Sequence, residues 1–263
     1  MKQLQMKVPQ GEWNYYRWGS GETLLVALHG FARNALLFEK LGPEVAKQYT
    51  MIALDLPFHG QTQWTDLYKP DDIRYFITEV LKNEQHSQFE LIGFSLGGRI
   101  ALKLLPQMAK QIQKLHLIAP DGLNTSFAWL VNNMPTNAKK RLAKLVDPPK
   151  SILQLARSLH RANLLDRWTI RYLERQLGST ENRYRLFQTW IALKHFSLQL
   201  STVKKDLSAF AKPIALYWGK NDQVVPFGKI IDQLSVLSNV EIYLLDGGHE
   251  IVNQGIGDLL IHT

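Results

Sequence analysis

The sequence of 263 residues contains no cysteine and no long uninterrupted apolar run. Without cysteine the chain has no disulfide framework, no thiol nucleophile and no thiolate metal site. Its apolar runs are far shorter than the roughly 18 residues of a membrane-spanning helix, so no membrane span is predicted. No apolar stretch follows the early lysines of residues 1–18, which predicts no signal peptide and favours a cytoplasmic location.

Positive charge is concentrated in one segment. The chain carries 31 Lys and Arg against 23 Asp and Glu, a formal net charge of +8. Residues 121–212 contain sixteen basic and six acidic residues, whereas the remainder contains fifteen and seventeen. Solvated helix faces account for much charge of this kind, and an anionic substrate is the second hypothesis. It rests on arginines at helical spacings: Arg157, Arg161, Arg167, Arg171 and Arg175. No nucleic-acid recognition motif is found.

The order of the predicted elements indicates the fold class. Buried strands are predicted at residues 23–28, 49–54, 89–94 and 115–119, with helices at 72–84 and 96–105, the second ending before Pro106. Strands at 214–218 and 240–245 follow, with helices at about 227–237 and at the end of the chain. Alternating strands and helices predict an α/β fold with a mostly parallel central sheet flanked by helices.

Residues 121–210 lack strand-like runs and show helical periodicity. We expect an all-helical cap there, inserted between two strands of a core formed by residues 1–120 and 211–263. Trp168 and Tyr172 share one helix face, as do Phe187 and Trp190, because residues three or four apart are neighbours on a helix. These aromatic residues either form the core of the cap or line a substrate pocket.

A glycine-rich motif, Gly93-Phe94-Ser95-Leu96-Gly97-Gly98, marks the junction between a predicted strand and a predicted helix. A G-x-S-x-G motif at such a junction forms a sharp, strained turn that exposes the serine hydroxyl at the edge of the sheet. The surrounding glycines allow the tight packing of backbone. Ser95 is therefore a candidate nucleophile.

A serine nucleophile needs a base and a carboxylate that orients this base. His249 follows the strand at 240–245, and Asp222 follows the strand at 214–218. The carboxyl ends of parallel strands meet at one sheet edge, so Ser95, Asp222 and His249 are predicted to meet there. Asp121 is an alternative carboxylate, whereas Asp246 is interpreted as a turn cap.

These motifs closely resemble those of the α/β-hydrolase superfamily. The matching pieces are His29-Gly30-Phe31, the run from Asp55 to Gly60, the motif around Ser95, Asp222 with Val225-Pro226, and Gly248-His249. The resemblance implies a serine hydrolase with Ser95 as nucleophile, His249 as general base and Asp222 as orienting carboxylate. It also implies an oxyanion hole formed by the backbone N–H groups of Phe31 and Leu96.

Several further expectations follow for the ligands of this site. Phe94, Arg99, Trp168 and Trp190 are predicted substrate contacts. The substrate is expected to be a small molecule with a carboxylic ester or related acyl bond, cleaved through an acyl-enzyme intermediate. His29 and His59 are interpreted as structural, no metal site is predicted, and the glycines fit no nucleotide-binding fingerprint, so no cofactor is implied.

Two other functions remain open at this stage. The segment Gly93 to Arg99 is similar to the elbow of the menaquinone-pathway synthase that eliminates pyruvate from a succinyl-cyclohexene carboxylate, which makes a carbon–oxygen lyase one alternative. Some members of the superfamily with a triad serve as small-molecule receptors with slow turnover, which is the other. The sequence leaves the natural substrate and the oligomeric state open.

Overall fold

The computed structural model of the protein describes residues 1–123, 137, 150–161 and 167–262. Within these residues, nine strands form one sheet. The strands are β1 (Lys2–Val8), β2 (Gly11–Trp18), β3 (Thr23–Leu28), β4 (Tyr49–Leu54), β5 (Gln63–Trp64), β6 (Phe89–Phe94), β7 (Ile112–Ile118), β8 (Ile214–Gly219) and β9 (Val240–Leu245).

The sheet is mostly parallel. Its strand order is β1-β2-β4-β3-β6-β7-β8-β9, with the short β5 paired to β2. All neighbours from β4 to β9 are parallel, whereas β1, β4 and β5 each pair with β2 in the antiparallel direction. The predicted α/β fold class with a mostly parallel sheet is therefore confirmed.

Continuous apolar runs explain the central strands. Every residue of β4 is buried, as is every residue of β3 after Thr23. A strand covered by helices on both faces must be apolar at successive positions and not only at alternate ones. Burial on both faces places β3, β4 and β6 in the middle of the molecule, where their carboxyl ends meet.

Helices precede and follow the central strands. In the core they are α1 (Leu41–Val45), α2 (Pro70–Asn83), α3 (Leu96–Met108), α8 (Gly228–Leu234) and α9 (Ile256–His262). Between β7 and β8 lie α4 (Lys150–Arg161), α5 (Arg167–Leu177), α6 (Thr180–Ala192) and α7 (Leu200–Phe210), with a 3-10 turn at Leu193–Phe196. In the described part of the chain, no helix is both long and apolar enough to cross a bilayer.

The helices between β7 and β8 contact the core through aromatic rings. The ring centroid of Tyr184 on α6 lies 5.8 Å from that of Phe58, and the ring of Phe196 lies 5.2 Å from that of Tyr68. These contacts place α6 beside the loop after β4, and the 3-10 turn beside the segment between β5 and α2. The cap boundary at residues 121–210 stays a prediction, because much of residues 124–149 lies outside the described residues.

The structure differs from the predicted elements in three details. Helix α3 continues through Pro106 to Met108, because the missing proline N–H affects only the last turn and the buried Leu105 and Met108 hold this turn against the core. Helix α8 ends at Leu234, earlier than expected. The hairpin of β1 and β2 was not predicted, since it contains no continuous apolar run.

Candidate active site

Ser95 lies in the sharp turn between β6 and α3. Its backbone has φ 50° and ψ −111°, a strained combination for a residue with a side chain. Glycines allow the turn: a Cβ on Gly93 would lie 2.5 Å from the carbonyl oxygen of Gly97, and one on Gly97 would lie 2.0 Å from that of Leu28. Because β6 is a central parallel strand, this turn holds the Ser95 hydroxyl at the carboxyl edge of the sheet.

His249 forms hydrogen bonds with both other predicted members of the triad. Its Nδ1 lies 2.8 Å from Asp222 Oδ2, and its Nε2 lies 3.1 Å from Ser95 Oγ. A carboxylate only accepts hydrogen bonds, so Nδ1–H donates to Asp222, and Nε2 of the neutral ring accepts from the Ser95 hydroxyl. The structure thus brings together three side chains that are far apart in the sequence.

Two loops at the end of the sheet hold this arrangement. Asp222 follows β8 and accepts two backbone hydrogen bonds at Oδ1, from the N–H groups of Val224 (2.8 Å) and Val225 (2.9 Å). The Asn221 N–H donates to the Gly247 carbonyl oxygen at 2.9 Å, which ties this loop to the one that carries His249. Each oxygen of the Asp222 carboxylate therefore has a defined partner, and the carboxylate orientation is set.

The two residues of the predicted oxyanion hole belong to the first turn of α3 and to the loop after β3. Leu96 is the first residue of α3, where helix geometry leaves the N–H without an intrahelical acceptor and favours anions. The preceding loop passes close by, since a Cβ on Gly30 would lie 3.2 Å from Ser95 Cβ. Phe31 follows Gly30 directly in the chain. Its function as an oxyanion donor stays a prediction.

Asp55 organises the loop that carries Phe31, a function that sequence reasoning missed. Its buried carboxylate accepts hydrogen bonds from Asn14 Nδ2 (2.8 Å), the Ala35 N–H (2.7 Å) and the Gln61 N–H (2.8 Å). It therefore links β2, the loop after β3 and the loop after β4. The available signal was an acidic residue placed directly after a fully buried strand.

His29 and His59 are fully buried near this loop. The Leu56 N–H donates to His29 Nε2 at 3.0 Å, and His29 Nδ1–H donates to the Gly30 carbonyl oxygen at 2.7 Å. Burial lowers the pKa of His29 to about 4 and lowers that of His59 well below its usual value, so both rings are neutral at pH 7. In the described residues, no group of three His, Cys, Asp or Glu side chains is arranged to hold a metal ion.

Two predicted substrate contacts lie next to the triad but are buried. The Phe94 ring centroid is 4.9 Å from that of His249, so Phe94 packs against the base. Arg99 is only 2% exposed, and its Nη2 lies 2.8 Å from Asp121 Oδ2. Contact of either side chain with a substrate stays a prediction, and the ion pair gives Arg99 a partner within the protein.

The two predicted tryptophan contacts lie among the helices between β7 and β8. Trp190 packs with Phe187, at 6.0 Å between ring centroids, in a small apolar cluster with Leu177 and Leu153. Trp168 belongs to α5, but its side chain lies outside the described residues, as does that of Tyr172. The structure therefore places Trp190 in the packing of these helices, and its contact with substrate stays a prediction.

The alternative carboxylate Asp121 and the expected turn cap Asp246 have other partners. Asp121 pairs with Arg99, and Asp246 Oδ1 lies 2.6 Å from Lys220 Nζ with its side chain 92% exposed. Among the described hydrogen bonds, the carboxylate on His249 is that of Asp222. The geometry accordingly favours Asp222 as the orienting group.

Comparison with known proteins identifies the family. A profile described as alpha/beta hydrolase fold matches residues 23–253, which is most of the chain. The chain belongs to the α/β-hydrolase family. It is a hydrolase of the α/β fold, and the matched residues include the elements that carry Ser95, Asp222 and His249.

Three curated relatives of this α/β hydrolase and one solved structure are informative. The uncharacterized hydrolase YugF of Bacillus subtilis (strain 168) is 28% identical over 258 residues, covering 91% of this chain and 90% of that protein. The pimeloyl-(acyl-carrier protein) methyl ester esterase of Nitrosomonas europaea is 25% identical over 216 residues, covering 78% and 79%.

The other two comparisons are more limited. A 2-succinyl-6-hydroxy-2,4-cyclohexadiene-1-carboxylate synthase of Escherichia coli O157:H7 is 35% identical, but over 78 residues, 30% of this chain and 31% of the synthase. The crystal structure of a hydrolase from Pseudomonas aeruginosa PA01 superposes with a TM-score of 0.70 at 15% identity, covering 99% of this chain and 97% of the other. The latter likeness shows the fold.

Proposed function

We propose that the protein is a serine hydrolase that cleaves a carboxylic ester or related acyl bond of a small to medium substrate. The observation that carries this proposal is the hydrogen-bonded chain from Ser95 Oγ through the His249 ring to Asp222 Oδ2. The Nitrosomonas relative, whose name describes a methyl ester esterase, supports a carboxylic ester as the substrate class. The proposed location in the cytoplasm rests on the sequence.

The first half-reaction forms an acyl-enzyme. Ser95 Oγ attacks the carbonyl carbon of the ester while His249 Nε2 accepts the hydroxyl proton. Asp222, which accepts a hydrogen bond from Nδ1, keeps the ring in the required tautomer and stabilises its positive charge. The carbon–oxygen bond to the leaving alcohol then breaks, and His249 returns its proton to that alcohol.

The second half-reaction releases the acid. His249 Nε2 accepts a proton from water, the resulting nucleophile attacks the acyl carbon, and Ser95 leaves with the proton that His249 returns. The carbonyl oxygen becomes negative in both tetrahedral intermediates. The N–H groups of Phe31 and Leu96 are the proposed donors to it, and one such donor contributes roughly 3–4 kcal/mol. The reaction as written uses no cofactor.

Covalent labelling tests this proposal. A fluorophosphonate probe is expected to modify Ser95, which peptide mapping identifies, and Ser95→Ala is expected to abolish both labelling and ester hydrolysis. The control Ser235→Ala removes an exposed hydroxyl that donates to the Asp232 carbonyl oxygen, and this variant should label like wild type. Labelling at another residue, or ester turnover that survives in Ser95→Ala, contradicts the assignment of the nucleophile.

An anionic substrate is the finer part of the proposal. Arg33 lies two residues after Phe31, where it forms an ion pair with Glu250. Burial, together with the positive charge of Arg175 on α5, lowers the pKa of Arg33. Esters that carry a second, ionised carboxylate should have a higher kcat/KM than matched neutral esters at low salt, and Arg175→Gln should reduce that preference.

A matched control exists for the charge experiment. Arg157 is on the same group of helices, but its Nη2 lies 2.8 Å from Glu174 Oε1, so its charge is already compensated. Arg157→Gln should leave the preference unchanged. Equal kcat/KM values for neutral and carboxylate-bearing esters at low salt would remove the anionic substrate from the proposal while leaving the ester hydrolase intact.

A carbon–oxygen lyase is the second candidate. The local match to the Escherichia coli synthase, together with the sequence Gly97-Gly98-Arg99, favours it. In that reaction, the same triad would remove a proton from the substrate, and pyruvate would leave. Release of pyruvate from the succinyl-cyclohexene carboxylate, with no turnover of simple esters, supports the lyase. If neither simple esters nor the succinyl-cyclohexene carboxylate is turned over, but one of them binds tightly, the result supports a receptor.

A further inference from the structure

Arg99 is a buried cation one helical turn after Ser95. Its Nη2 lies 2.8 Å from Asp121 Oδ2, and the arginine side chain is 2% exposed whereas that of Asp121 is 33% exposed. A charge removed from water requires a partner, because desolvation is otherwise costly. Asp121 supplies this partner from the loop after β7, so the ion pair joins two separate segments beside the nucleophile.

Both members of this pair also contact the backbone of Ser95. The Arg99 N–H donates to the Ser95 carbonyl oxygen at 3.1 Å, and the Asp121 N–H donates to the same oxygen at 3.0 Å. The Ser95 carbonyl oxygen therefore accepts one hydrogen bond from α3 and one from the loop after β7. The ion pair closes this arrangement, since it connects the side chains of the two residues whose N–H groups bind that carbonyl.

The backbone at this point requires such support. Ser95 has a positive φ of 50°, and Ala119 in the loop after β7 also has a positive φ, of 42°. Strained conformations of this kind persist only where the surrounding structure holds them. Gly122, at φ 88°, fits closely against the arginine, because a Cβ there would lie 2.6 Å from Arg99 Nε.

We infer that the Arg99–Asp121 ion pair keeps Ser95 Oγ within hydrogen-bonding distance of His249 Nε2. Arg99 and Asp121 are therefore positioning residues for the reaction. This inference rests on the proposed function. It gives Asp121 a role other than orienting His249, and Arg99 a role other than binding the substrate. Breaking the pair lets the loop after β7 and the first turn of α3 relax, which changes the separation of Ser95 Oγ and His249 Nε2.

Kinetics of single and double variants test this inference. Asp121→Asn and Arg99→Met should each lower kcat for a neutral ester by about 10- to 100-fold, because small misplacements of reacting atoms have effects of this size. KM should change by less than about twofold. The double variant should be no slower than the slower single variant, since either change already breaks the pair.

Active-site labelling separates positioning from loss of folded protein. Positioning variants should still bind one equivalent of fluorophosphonate, but more slowly than wild type. A lower stoichiometry with an unchanged rate at the labelled sites would make the role structural and overturn the inference. Asp121→Asn removes the carboxylate charge, and with it the ion pair, but keeps the size of the side chain, so it provides the measurement where Arg99→Met fails to fold.

Other outcomes overturn the inference in distinguishable ways. A 10⁴-fold loss in Asp121→Asn, with Asp222→Asn near wild type, would make Asp121 the carboxylate of the triad. An increase in KM confined to anionic esters in Arg99→Met would make Arg99 a substrate contact. If the variants are labelled as fast as wild type, the inference is refuted and the proposed function is unaffected. If wild type is not labelled at Ser95, the proposed function is refuted, and so is the inference that rests on it.

A surface ion pair provides the matched control. Arg74 Nη2 lies 3.0 Å from Asp71 Oδ1 on α2, and the two side chains are 48% and 71% exposed. Arg74→Met and Asp71→Asn make the same chemical changes at a pair that contacts no member of the triad. Both should leave kcat, KM and the labelling rate unchanged.

Discussion

Replacement of Asp222 by asparagine removes one charge and preserves the shape of the side chain. In the native protein, Oδ1 accepts from the N–H groups of Val224 and Val225, while Oδ2 accepts from His249 Nδ1. Asparagine retains one oxygen. This oxygen must stay with the two backbone donors, because the opposite orientation would place the amide N–H₂ group against two N–H groups.

The orientation of the new amide determines the effect on His249. With its oxygen on the backbone donors, the amide donates to Nδ1 and selects the tautomer that carries hydrogen on Nε2. That tautomer cannot accept the proton of Ser95. Restoring the productive tautomer leaves two N–H groups without an acceptor, at about 1–3 kcal/mol each, or about 2–6 kcal/mol in total. This range corresponds to a reduction in kcat of about 30-fold to 10⁴-fold.

In serine–histidine–aspartate triads, replacement of the aspartate by asparagine lowers kcat by about 10⁴-fold, so we expect a loss of this size for Asp222→Asn. Steady-state ester hydrolysis and the rate of fluorophosphonate labelling both measure it. Asp246→Asn is the control, because Asp246 contacts Lys220 and should have no effect. A labelling rate for Asp222→Asn within threefold of wild type would refute the assigned function of the hydrogen bond between Asp222 and His249.

Three further predictions concern stability and are measured by urea unfolding. Ser95→Gly should be about 1 kcal/mol more stable than Ser95→Ala, since both lack the hydroxyl but only glycine relieves the strain at φ 50°. Gly60→Ala should lose at least about 1 kcal/mol, because φ is +55° and the added Cβ would lie 2.0 Å from the Asp55 carboxylate. Since the pKa of His29 is about 4 in the folded protein and about 6.5 in the unfolded chain, protonation favours unfolding. The contribution of His29 is complete above about pH 6.5 and decreases as the pH falls towards 4, by about 2 kcal/mol between pH 7 and pH 5.

Each of these predictions has a contrary result. Equal stability of the two Ser95 variants would show that the elbow is not strained. An unchanged stability of Gly60→Ala would show that the loop after β4 can move away from Asp55. The pH effect requires comparison with His29→Gln, whose free energy of unfolding should depend less steeply on pH. Parallel pH profiles for the two proteins would assign the acid sensitivity to other groups.

Much of the core could be predicted because its signals are local. A strand buried on both faces is apolar at successive positions, and residues 24–28 and 51–54 are such runs. The elbow is equally local, because the tight turn around Ser95 requires glycines at fixed offsets. Placement of His249 and Asp222 at the same edge followed from one topological rule about parallel strands.

The hairpin of β1 and β2 was missed for the opposite reason. In β1 the partly buried positions alternate with exposed ones, and no position is fully buried, so the apolar signal is weak. Its stability comes from pairing with β2, which in turn pairs with β4 far along the chain. Tertiary contacts also explain Pro106. Helix α3 accommodates this proline because burial of the last helical turn outweighs the lost hydrogen bond.

Residue types and their spacing were enough to indicate a strained serine, a base and a choice of carboxylates, because backbone turns and strand burial depend on neighbours in the chain. Which carboxylate meets His249, and which instead compensates the charge of Arg99, depended on distances between loops that follow different strands. Asp121 and Asp222 are both acidic residues after parallel strands, and in the sequence only the family resemblance, through Val225-Pro226, favours Asp222. Folding separates them, since hydrogen bonds and ion pairs form only where atoms approach within about 3 Å, and that approach is set by the packing of the whole sheet.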